Sequence, residues 1–408
     1  MTLAQGLIDL SPLRLSPAFR RLWVGRSLSG LGRQLAIVAV LYQVWELTHD
    51  PIWVGAIALV RGLPTVVLSV IGGSLADIVD RRRLVLATTA GQVVAMALLA
   101  GQALAQLSAV WLVLALVAFH ASCDALGAPA YRTFVSRLLP TDRIPAGVAL
   151  THLSFQATML AGPAIAGVIV GRWGVTVCYA VDAAMYCVML YCVAQLPAMR
   201  PTDDTAATSL RAIWDGWRFI RRQPVLRGTL LTDLVATVSA MPMALYPAVN
   251  ATTFGGRPET LGLIMSAVAV GGIAAGLGSG SITRAGRPGM IMLVAACVWG
   301  AGLAGFGLSQ TLWLALGSLA VAGAADTISV ISRGAIVQLA TPDSRRGRAS
   351  AAEHVVGVAG PDIGNFRAGL VAGATSPAFA LAAGGLVCIA GVAGIALAHR
   401  PMREFRTR

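Results

Sequence analysis

The chain has 408 residues, of which 56% are hydrophobic and only 12% are charged. A water-soluble protein of this size does not expose so apolar a surface, so the composition excludes a soluble domain and predicts that lipid surrounds most of the chain. The net charge is +13, and all 31 basic residues behind it are arginines, because the sequence has no lysine. These arginines lie mostly between apolar runs, which is typical of membrane topology and not of a nucleic-acid-binding surface.

The first 16 residues have no apolar core followed by a small-residue cleavage site, so no removable signal peptide is expected. Twelve apolar runs of spanning length follow in two groups of six. Backbone polar groups in hydrocarbon must be satisfied within their own segment, so we predict an all-α membrane protein of two pseudo-symmetric six-helix bundles. The runs cover residues 20–45, 51–75, 84–106, 110–132, 146–170, 173–196, 226–250, 259–282, 288–308, 311–334, 348–373 and 376–398.

Arginines divide unevenly between the connections of these helices. With the N-terminus placed inside, 23 arginines fall in the inner loops and tails, and only Arg172 and Arg257 fall in outer loops. Positive residues stay on the cytoplasmic side, so we expect a bacterial inner-membrane protein with both termini in the cytoplasm. The six cysteines all lie in apolar runs and are interpreted as small hydrophobic residues, not as disulfides or metal ligands.

A polar stretch between the two groups sets the predicted domain boundaries. These are a first bundle at 1–196, a cytoplasmic linker at 197–224 and a second bundle at 225–408. Within the linker, Ile213, Trp217 and Ile220 share one helical face, whereas arginines lie toward another face. This spacing predicts an amphipathic helix on the inner leaflet, with a plain cytoplasmic connector as the alternative.

The two halves repeat each other. Asp124 and Asp326 lie 202 residues apart, each in the fourth helix of its half, and a basic loop with Pro-Thr-Asp-Arg or Pro-Asp-Ser-Arg follows each of them. The next helix in each half carries Ala-Gly-Pro, at 161–163 and at 359–361. Repeated six-helix halves are typical of transporters with a substrate site near the midplane, where the repeats meet.

The connection between the second and third helices reads Gly72-Gly-Ser-Leu-Ala-Asp-Ile-Val-Asp-Arg-Arg-Arg-Leu. We interpret it as a tight glycine-bearing turn whose carboxylates and guanidinium groups form a conformational latch, a closure that exists in one state only. The alternative, that its charges only set the topology, explains the arginines but not the aspartate and glycine. The predicted latch residues are Gly73, Asp77, Asp80, Arg81 and Arg82.

This loop resembles the conserved loop motif of the major facilitator superfamily, with Asp80 in place of the usual glycine. Gly162, Pro163 and Gly167 resemble the antiporter motif of its fifth helix, although Ala166 stands where that motif has its first late glycine. The resemblance implies the twelve-helix major facilitator fold and transport coupled to protons.

Shorter segments are similar to the enterobactin exporter group within that superfamily. They are Pro17-Ala-Phe-Arg, Asp80-Arg-Arg-Arg, Leu245-Tyr-Pro-Ala, Arg287-Pro-Gly and Gly360-Pro-Asp-Ile-Gly. This similarity implies export of a siderophore.

Charged side chains inside the apolar runs cost about 2.5 to 3.5 kcal/mol each on insertion scales, so several of them together predict an aqueous cavity. Arg26 and Arg33 lie seven residues apart and share one face of the first helix. An offset of 207 residues makes Asp233 the counterpart of Arg26, and we predict that these two couple in one state. The residues assigned to the substrate or proton pathway are Arg26, Arg33, Arg61, Asp124, His152, Gln156, Asp233, Asp326, Glu353, Asp362 and Arg367.

Several of these residues have a structural alternative. Glu353 or Asp362 could carry a proton, but either could equally form an ion pair that fixes helix packing. His152 and Gln156 are four residues apart and could contact a ligand, whereas a histidine bonded to a nearby carbonyl is the simpler interpretation. Asp182 on the sixth helix is given a structural role by default.

These features predict a secondary active transporter that exports a small organic solute by alternating access and proton antiport, with sodium coupling or uniport left open. The expected partners are the solute, protons and membrane lipid, with no cofactor, metal or nucleic acid. The alternatives are a multidrug efflux pump, an importer and, from another class, a membrane transferase acting on a diphosphate through Asp77 and Asp80. That chemistry needs a second acidic cluster, and the matching loop Thr283-Arg-Ala-Gly-Arg-Pro has no carboxylate. We therefore expect no enzymatic activity.

Overall fold

The structure is a computed structural model that describes residues 9–200, 210–284, 286–342 and 345–406. The predicted polar start of the linker, at 201–209, lies outside the described residues, as do Asp343 and Ser344 of the second basic loop and the side chain of Ile213. Within these ranges the regular structure is helical throughout and contains no strand, which agrees with the predicted fold class.

The contacts of the chain divide it into two units. Unit 1 consists of the described residues of Met1–Gln43 and Leu63–Ala207, and unit 2 consists of those of Val44–Gly62 and Thr208–Arg408. The predicted division at 1–196, 197–224 and 225–408 stays a prediction.

The N-terminal half consists of long helices joined by short turns. The fourth of these, α4 (Arg81–Leu104), has Asp80 as its N-cap, whose carboxylate accepts hydrogen bonds from the backbone N–H groups of Arg82 and Arg83 at 2.9 and 3.3 Å. The longest is interrupted at Gly174, where φ is +80°, a conformation that glycine adopts without strain. The helices are α1 Ser11–Leu15, α2 Pro17–Thr48, α3 Pro51–Ile78, α4 Arg81–Leu104, α5 Val110–Arg132, α6 Phe134–Leu138 and α7 Ile144–Ala194.

The C-terminal half repeats this pattern with one difference, because its first long helix is broken. A 3-10 turn at Met243–Leu245 separates α9 from α10. The helices are α8 Leu210–Arg222, α9 Pro224–Ser239, α10 Tyr246–Thr253, α11 Pro258–Leu277, α12 Ser279–Arg284, α13 Pro288–Leu308, α14 Leu312–Ala340, α15 Arg346–Ala374, α16 Pro377–Ala398 and α17 Arg400–Arg403.

Side chains from neighbouring helices satisfy the backbone at this break. Trp299 donates its indole N–H to the carbonyl of Ala240 at 3.0 Å, and the Asn365 side-chain oxygen accepts the N–H of Ala244 at 3.0 Å. Non-helical backbone at membrane depth is stable only where it is buried in protein and bonded in this way. Residues of α13 and α15 therefore allow the first long helix of the C-terminal half to break between α9 and α10.

Nine segments of the described residues are long and apolar enough to cross a membrane. One of them includes α7, whose 51 residues extend over about 76 Å, more than twice the hydrocarbon thickness, so it supplies two spans that meet at Gly174. Helices α2 and α15 have 32 and 29 residues and are also long enough, but they carry more charge. Counting α7 twice and adding these two helices gives twelve spans, consistent with the prediction.

The linker forms the predicted helix, α8. Its Phe219 and Ile220 are buried in an apolar cluster with Leu226 and residues of α9 and α14, whereas Trp214 is 66% exposed. The amphipathic character is therefore present, and part of the apolar face packs against protein. The location of α8 on the inner leaflet stays a prediction.

The repeated Ala-Gly-Pro motifs have equivalent packing in the two units. A Cβ at Gly162 of α7 would overlap the Gln34 side chain of α2, and a Cβ at Gly360 of α15 would lie 2.5 Å from the Thr237 hydroxyl of α9. The glycine of each motif thus allows close helix packing, of α7 against α2 in unit 1 and of α15 against α9 in unit 2.

Candidate functional site

A cavity of about 360 Å³ lies inside unit 1 among α2, α5 and α7. Its lining combines guanidinium, aromatic and hydroxyl groups, and it brings together the predicted residues Arg26, Arg33 and His152. Gln156, one turn beyond His152 on α7, is partly buried outside this lining. The lining residues of this unit 1 cavity are Phe19, Leu22, Trp23, Arg26, Ser27, Gly30, Arg33, Tyr131, Arg132, Val135, Val148, Thr151, His152, Ser154, Phe155 and Thr158.

The Arg26 guanidinium lies over the phenol ring of Tyr131, 5.1 Å from its centroid. The Tyr131 hydroxyl is in turn 3.4 Å from the Thr89 hydroxyl of α4, which holds the ring in place. A cation above an aromatic face is attracted by the ring quadrupole, more strongly where water is excluded. This contact places a cation and an aromatic ring together in one wall of the cavity.

A second charged group in the same unit joins three helices. Arg33 of α2 lies 3.8 Å from the Asp124 carboxylate of α5, and Gln92 of α4 donates to Asp124 at 3.3 Å. The side chains of Arg33 and Asp124 are 39% and 47% exposed, so this ion pair is screened and weak. Arg33 lines the cavity, and Asp124 is half exposed beside it.

Unit 2 contains a buried cluster around Arg333 of α14. Its guanidinium contacts the Asp233 carboxylate of α9, and its Nε lies 3.1 Å from the Glu353 carboxylate of α15. The three side chains are only 15%, 10% and 20% exposed. Asp326, two turns before Arg333, is exposed and within electrostatic range of this cluster. Loss of Arg333 would leave two buried carboxylates without a cation.

The remaining predicted charges of unit 2 lie on or beside α15. Arg61 of α3 is 3.4 Å from the Asp362 carboxylate, and a Cβ at Gly62 would press against the same carboxyl group. Arg367 does not pair with Asp362 but donates to the carbonyl of Ser239 at the end of α9. A cation at this position stabilises the partial negative charge of the helix C-terminus.

The charged residues of the predicted latch lie together at the end of unit 1. Arg81 lies 3.7 Å from the Asp77 carboxylate, and its backbone N–H donates to the carbonyl of Met199 at 3.0 Å. Arg82 donates from Nε to the carbonyl of Val193 at the end of α7, at 3.3 Å. These contacts anchor the loop within unit 1, and its role as a conformational latch stays a prediction.

The predicted glycine-bearing turn was wrong. Helix α3 continues to Ile78, so Gly72 and Gly73 are helical, and the chain turns at Val79 and Asp80. A Cβ at Gly72 would lie 2.5 Å from the carbonyl oxygen of Leu126. That glycine is therefore required for close helix packing and not for a turn.

Sequence reasoning missed two arginines and a polar network. Arg132 lines the unit 1 cavity and Arg333 forms the buried cluster of unit 2. The side chains of Gln43 and Gln102 exchange hydrogen bonds at 3.1 and 3.3 Å, and the Tyr179 hydroxyl donates to Gln43 at 2.8 Å. Within the described part of the chain, no three metal-ligating side chains cluster, and the six cysteines are unpaired thiols.

The helices, their repeat and the charged groups inside them define a membrane transporter of the major facilitator type. Solved structures of this fold are similar along nearly the whole chain. The nucleoside transporter NupG has a TM-score of 0.73 at 14% identity, over 95% of this chain and 100% of that structure. A bacterial homologue of the iron transporter ferroportin, in an inward-facing state, has a TM-score of 0.71 at 15% identity, over 95% and 99%.

The sequence profile of the transmembrane secretion effector family matches residues 8–407, and the chain belongs to that family. It is 28% identical to the enterobactin exporter EntS of Shigella boydii over 404 residues, which are 98% of this chain and 96% of that protein. EntS of Citrobacter koseri is 28% identical over 361 residues, covering 88% and 86%. These relatives and structural neighbours are transporters and not enzymes.

Proposed function

We propose that this protein exports a catechol-bearing siderophore across the bacterial inner membrane in exchange for protons. The observation that carries the proposal is the Arg26–Tyr131 contact in the unit 1 cavity, where a guanidinium lies 5.1 Å from a phenol ring. A catechol ring has the same π-face as this phenol. It would bind the other cationic and aromatic groups of the cavity, such as Arg33, Trp23 and Phe155, by the same physics.

A group beside the lining could bind the hydroxyls of such a solute. Asp124 is not itself a lining residue, but it contacts the lining residue Arg33, is half exposed and, among the described residues, accepts a 3.3 Å bond from Gln92, so we expect it to be open to a hydroxyl donor. Arginine side chains stabilise a catecholate oxygen once it is ionised. The 28% identity to the enterobactin exporters over nearly the full length of the chain supports the same solute class.

We propose that the six-helix halves move by alternating access, with both termini in the cytoplasm. The arginine bias of the predicted inner loops supports this orientation. In this scheme the loop at Asp77–Arg82 is a latch that strengthens in one state, and carboxylates within the helices take up the counter-transported proton.

Efflux from everted membrane vesicles with an imposed proton gradient tests the proposal. A catecholate siderophore is compared with a lipophilic dye, and Arg26→Gln is compared with the matched control Arg172→Gln, an exposed arginine outside the cavity. The proposal expects gradient-driven movement of the siderophore that falls in the Arg26 variant alone. Movement of the dye without the siderophore would identify a multidrug efflux pump, and movement of neither would reject both functions.

A further inference from the structure

One buried carboxyl group of unit 1, that of Asp182, makes no hydrogen bond among the described residues. Asp182 of α7 is 0% exposed, and neither of its carboxyl oxygens has a hydrogen-bond partner among the described residues. By contrast, four carboxylates of the predicted pathway, Asp124, Asp233, Glu353 and Asp362, each have an arginine within 4 Å. A carboxylate that is both buried and unpaired is unstable in its charged form, whereas a protonated carboxyl loses much less on burial.

The surroundings of Asp182 provide room for it but no permanent partner. It packs against Gly32 of α2, where a Cβ would overlap one of its carboxyl oxygens. Its own helix brings Cys178 and Tyr186 near it, and their polar groups are occupied: the thiol contacts the carbonyl of Ala166, and the phenol hydroxyl lies 3.1 Å from the ring of His120 on α5.

The nearby cation is Arg33, which follows Gly32 in α2 and acts electrostatically on Asp182. In this structure the Arg33 guanidinium lies 3.8 Å from Asp124, in a weak and half-exposed pair. Arg33 thus contacts one carboxyl group, that of the half-exposed Asp124, and lies within electrostatic range of a second, that of the fully buried Asp182. A side chain held by a weak pair can change partner at small cost.

We propose that Asp182 is the proton-carrying group of the transport cycle and that Arg33 moves between Asp124 and Asp182. This inference deepens the proposed proton antiport and rests on it. In the state seen here Asp182 holds a proton on its carboxyl and Arg33 pairs with Asp124. When hydroxyl donors of the solute bind Asp124, Arg33 turns to Asp182, and the carboxyl proton passes to water of the cavity. Reprotonation of Asp182 returns Arg33 to Asp124 and expels the solute, which is the order that antiport requires.

Infrared spectroscopy of the purified full-length protein tests the protonation state. At neutral pH we expect a carboxylic-acid C=O band that Asp182→Asn abolishes. The matched control is Asp142→Asn, an exposed loop carboxylate paired with Arg143 at 3.1 Å, which should leave the band unchanged. A wild-type spectrum without a band that depends on Asp182 would overturn the proposal.

Proton release on addition of a catecholate siderophore, measured with a pH indicator in weak buffer, tests the coupling. We expect about one proton per bound solute in the wild type and Asp142→Asn, and none in Asp182→Asn. Arg33→Gln provides a test that leaves Asp182 in place. In this variant the proton release per bound solute should also be lost, whereas the infrared band of the Asp182 carboxylic acid should remain. Unchanged release in either the Asp182 or the Arg33 variant would overturn the proposal, and the Arg33 variant decides alone if Asp182→Asn does not fold.

Vesicle efflux separates this inference from the function on which it rests. A wild-type protein whose efflux does not respond to the proton gradient would overturn the proposed function and the coupling role together. Gradient-driven efflux that continues at the wild-type rate in Asp182→Asn would overturn the role of Asp182 alone.

Discussion

Each unit has an arginine–carboxylate contact between the first and fourth spanning helices of its half, but the charges are exchanged. In unit 1 Arg33 belongs to α2 and Asp124 to α5, whereas in unit 2 the carboxylate Asp233 belongs to α9 and Arg333 to α14. Burial also differs, since the first pair is 39% and 47% exposed and the second is 15% and 10% exposed.

From this difference in burial we expect the two ion-pair sites to have different roles. A half-exposed pair beside a cavity is weak and able to exchange partners, which suits solute binding and proton transfer. A buried arginine shared by carboxylates of two other helices holds three helices in place, because moving Arg333 away would leave both carboxylates buried without a cation. An arginine and a carboxylate on equivalent helices are therefore expected to form an exchangeable ion pair in unit 1 and a permanent helix contact in unit 2.

The largest expected effect is that of Arg333→Gln. It leaves the Asp233 and Glu353 carboxylates buried together without a cation, which costs about 3 to 5 kcal/mol in proteins. We expect a large drop in the thermal unfolding temperature of the purified protein, partly restored by adding Asp233→Asn. Arg33→Gln is the matched control and should change stability little. Equal losses in the two variants would contradict the contrast between the units.

The broken helix of unit 2 predicts the next effect. Asn365→Ala removes the acceptor for the Ala244 N–H and leaves a buried donor unsatisfied, at a cost of about 1 to 3 kcal/mol. Hydrogen exchange should rise at Met243–Leu245 and the unfolding temperature should fall. Thr375→Ala, which removes an exposed hydroxyl from the end of the same helix, should do neither. Unchanged exchange at the turn would show that Asn365 does not maintain the break.

Removal of the ring-binding arginine should affect transport more than stability. Arg26→Gln loses a cation–π surface worth about 0.5 to 2 kcal/mol, so we expect the KM for a catecholate siderophore to rise about twofold to thirtyfold. The unfolding temperature should change little because Arg26 is exposed in the cavity. Vesicle efflux kinetics measure the effect against Arg172→Gln. An unchanged KM would remove Arg26 from the solute site.

The smallest expected effect is the stability coupling between Arg33 and Asp124. A double-mutant cycle with Arg33→Gln and Asp124→Asn should give about 0 to 1 kcal/mol and should shrink further at high salt. Thermal unfolding of the two single variants and the double variant at two salt concentrations measures it. A coupling energy of several kcal/mol would mean that the pair is fixed in the manner of the unit 2 cluster and could not exchange partners.

Several features of the site were predictable from sequence. Residues seven apart on a helix share a face, which is why Arg26 and Arg33 both line the unit 1 cavity. The two missed arginines had a signal as well, because Arg132 and Arg333 follow the matched aspartates Asp124 and Asp326 by eight and seven residues. Extending the repeat beyond the aspartates would have found them.

Sequence motifs did not predict the role of a residue where that role depends on packing between helices. Gly72 and Gly73 resembled a turn, yet the helix continues through them because Gly72 meets the backbone of α5. Arg367, assigned from sequence to the substrate or proton pathway, binds the carbonyl of Ser239, which is available because α9 ends there. Neither contact is encoded in local spacing.

The sequence by itself determined that the chain is a helical membrane protein with a duplicated six-helix plan, because hydropathy and repeat spacing are local properties of the chain. Only the tertiary structure decided which charges meet. Periodicity places a side chain on a face of its helix but does not say which helix lies opposite or how deeply the contact is buried. That is why Asp124 and Asp182, two aspartates in apolar runs, differ so completely: one faces an arginine at the edge of a cavity, and the other lies against a glycine with no hydrogen-bond partner among the described residues.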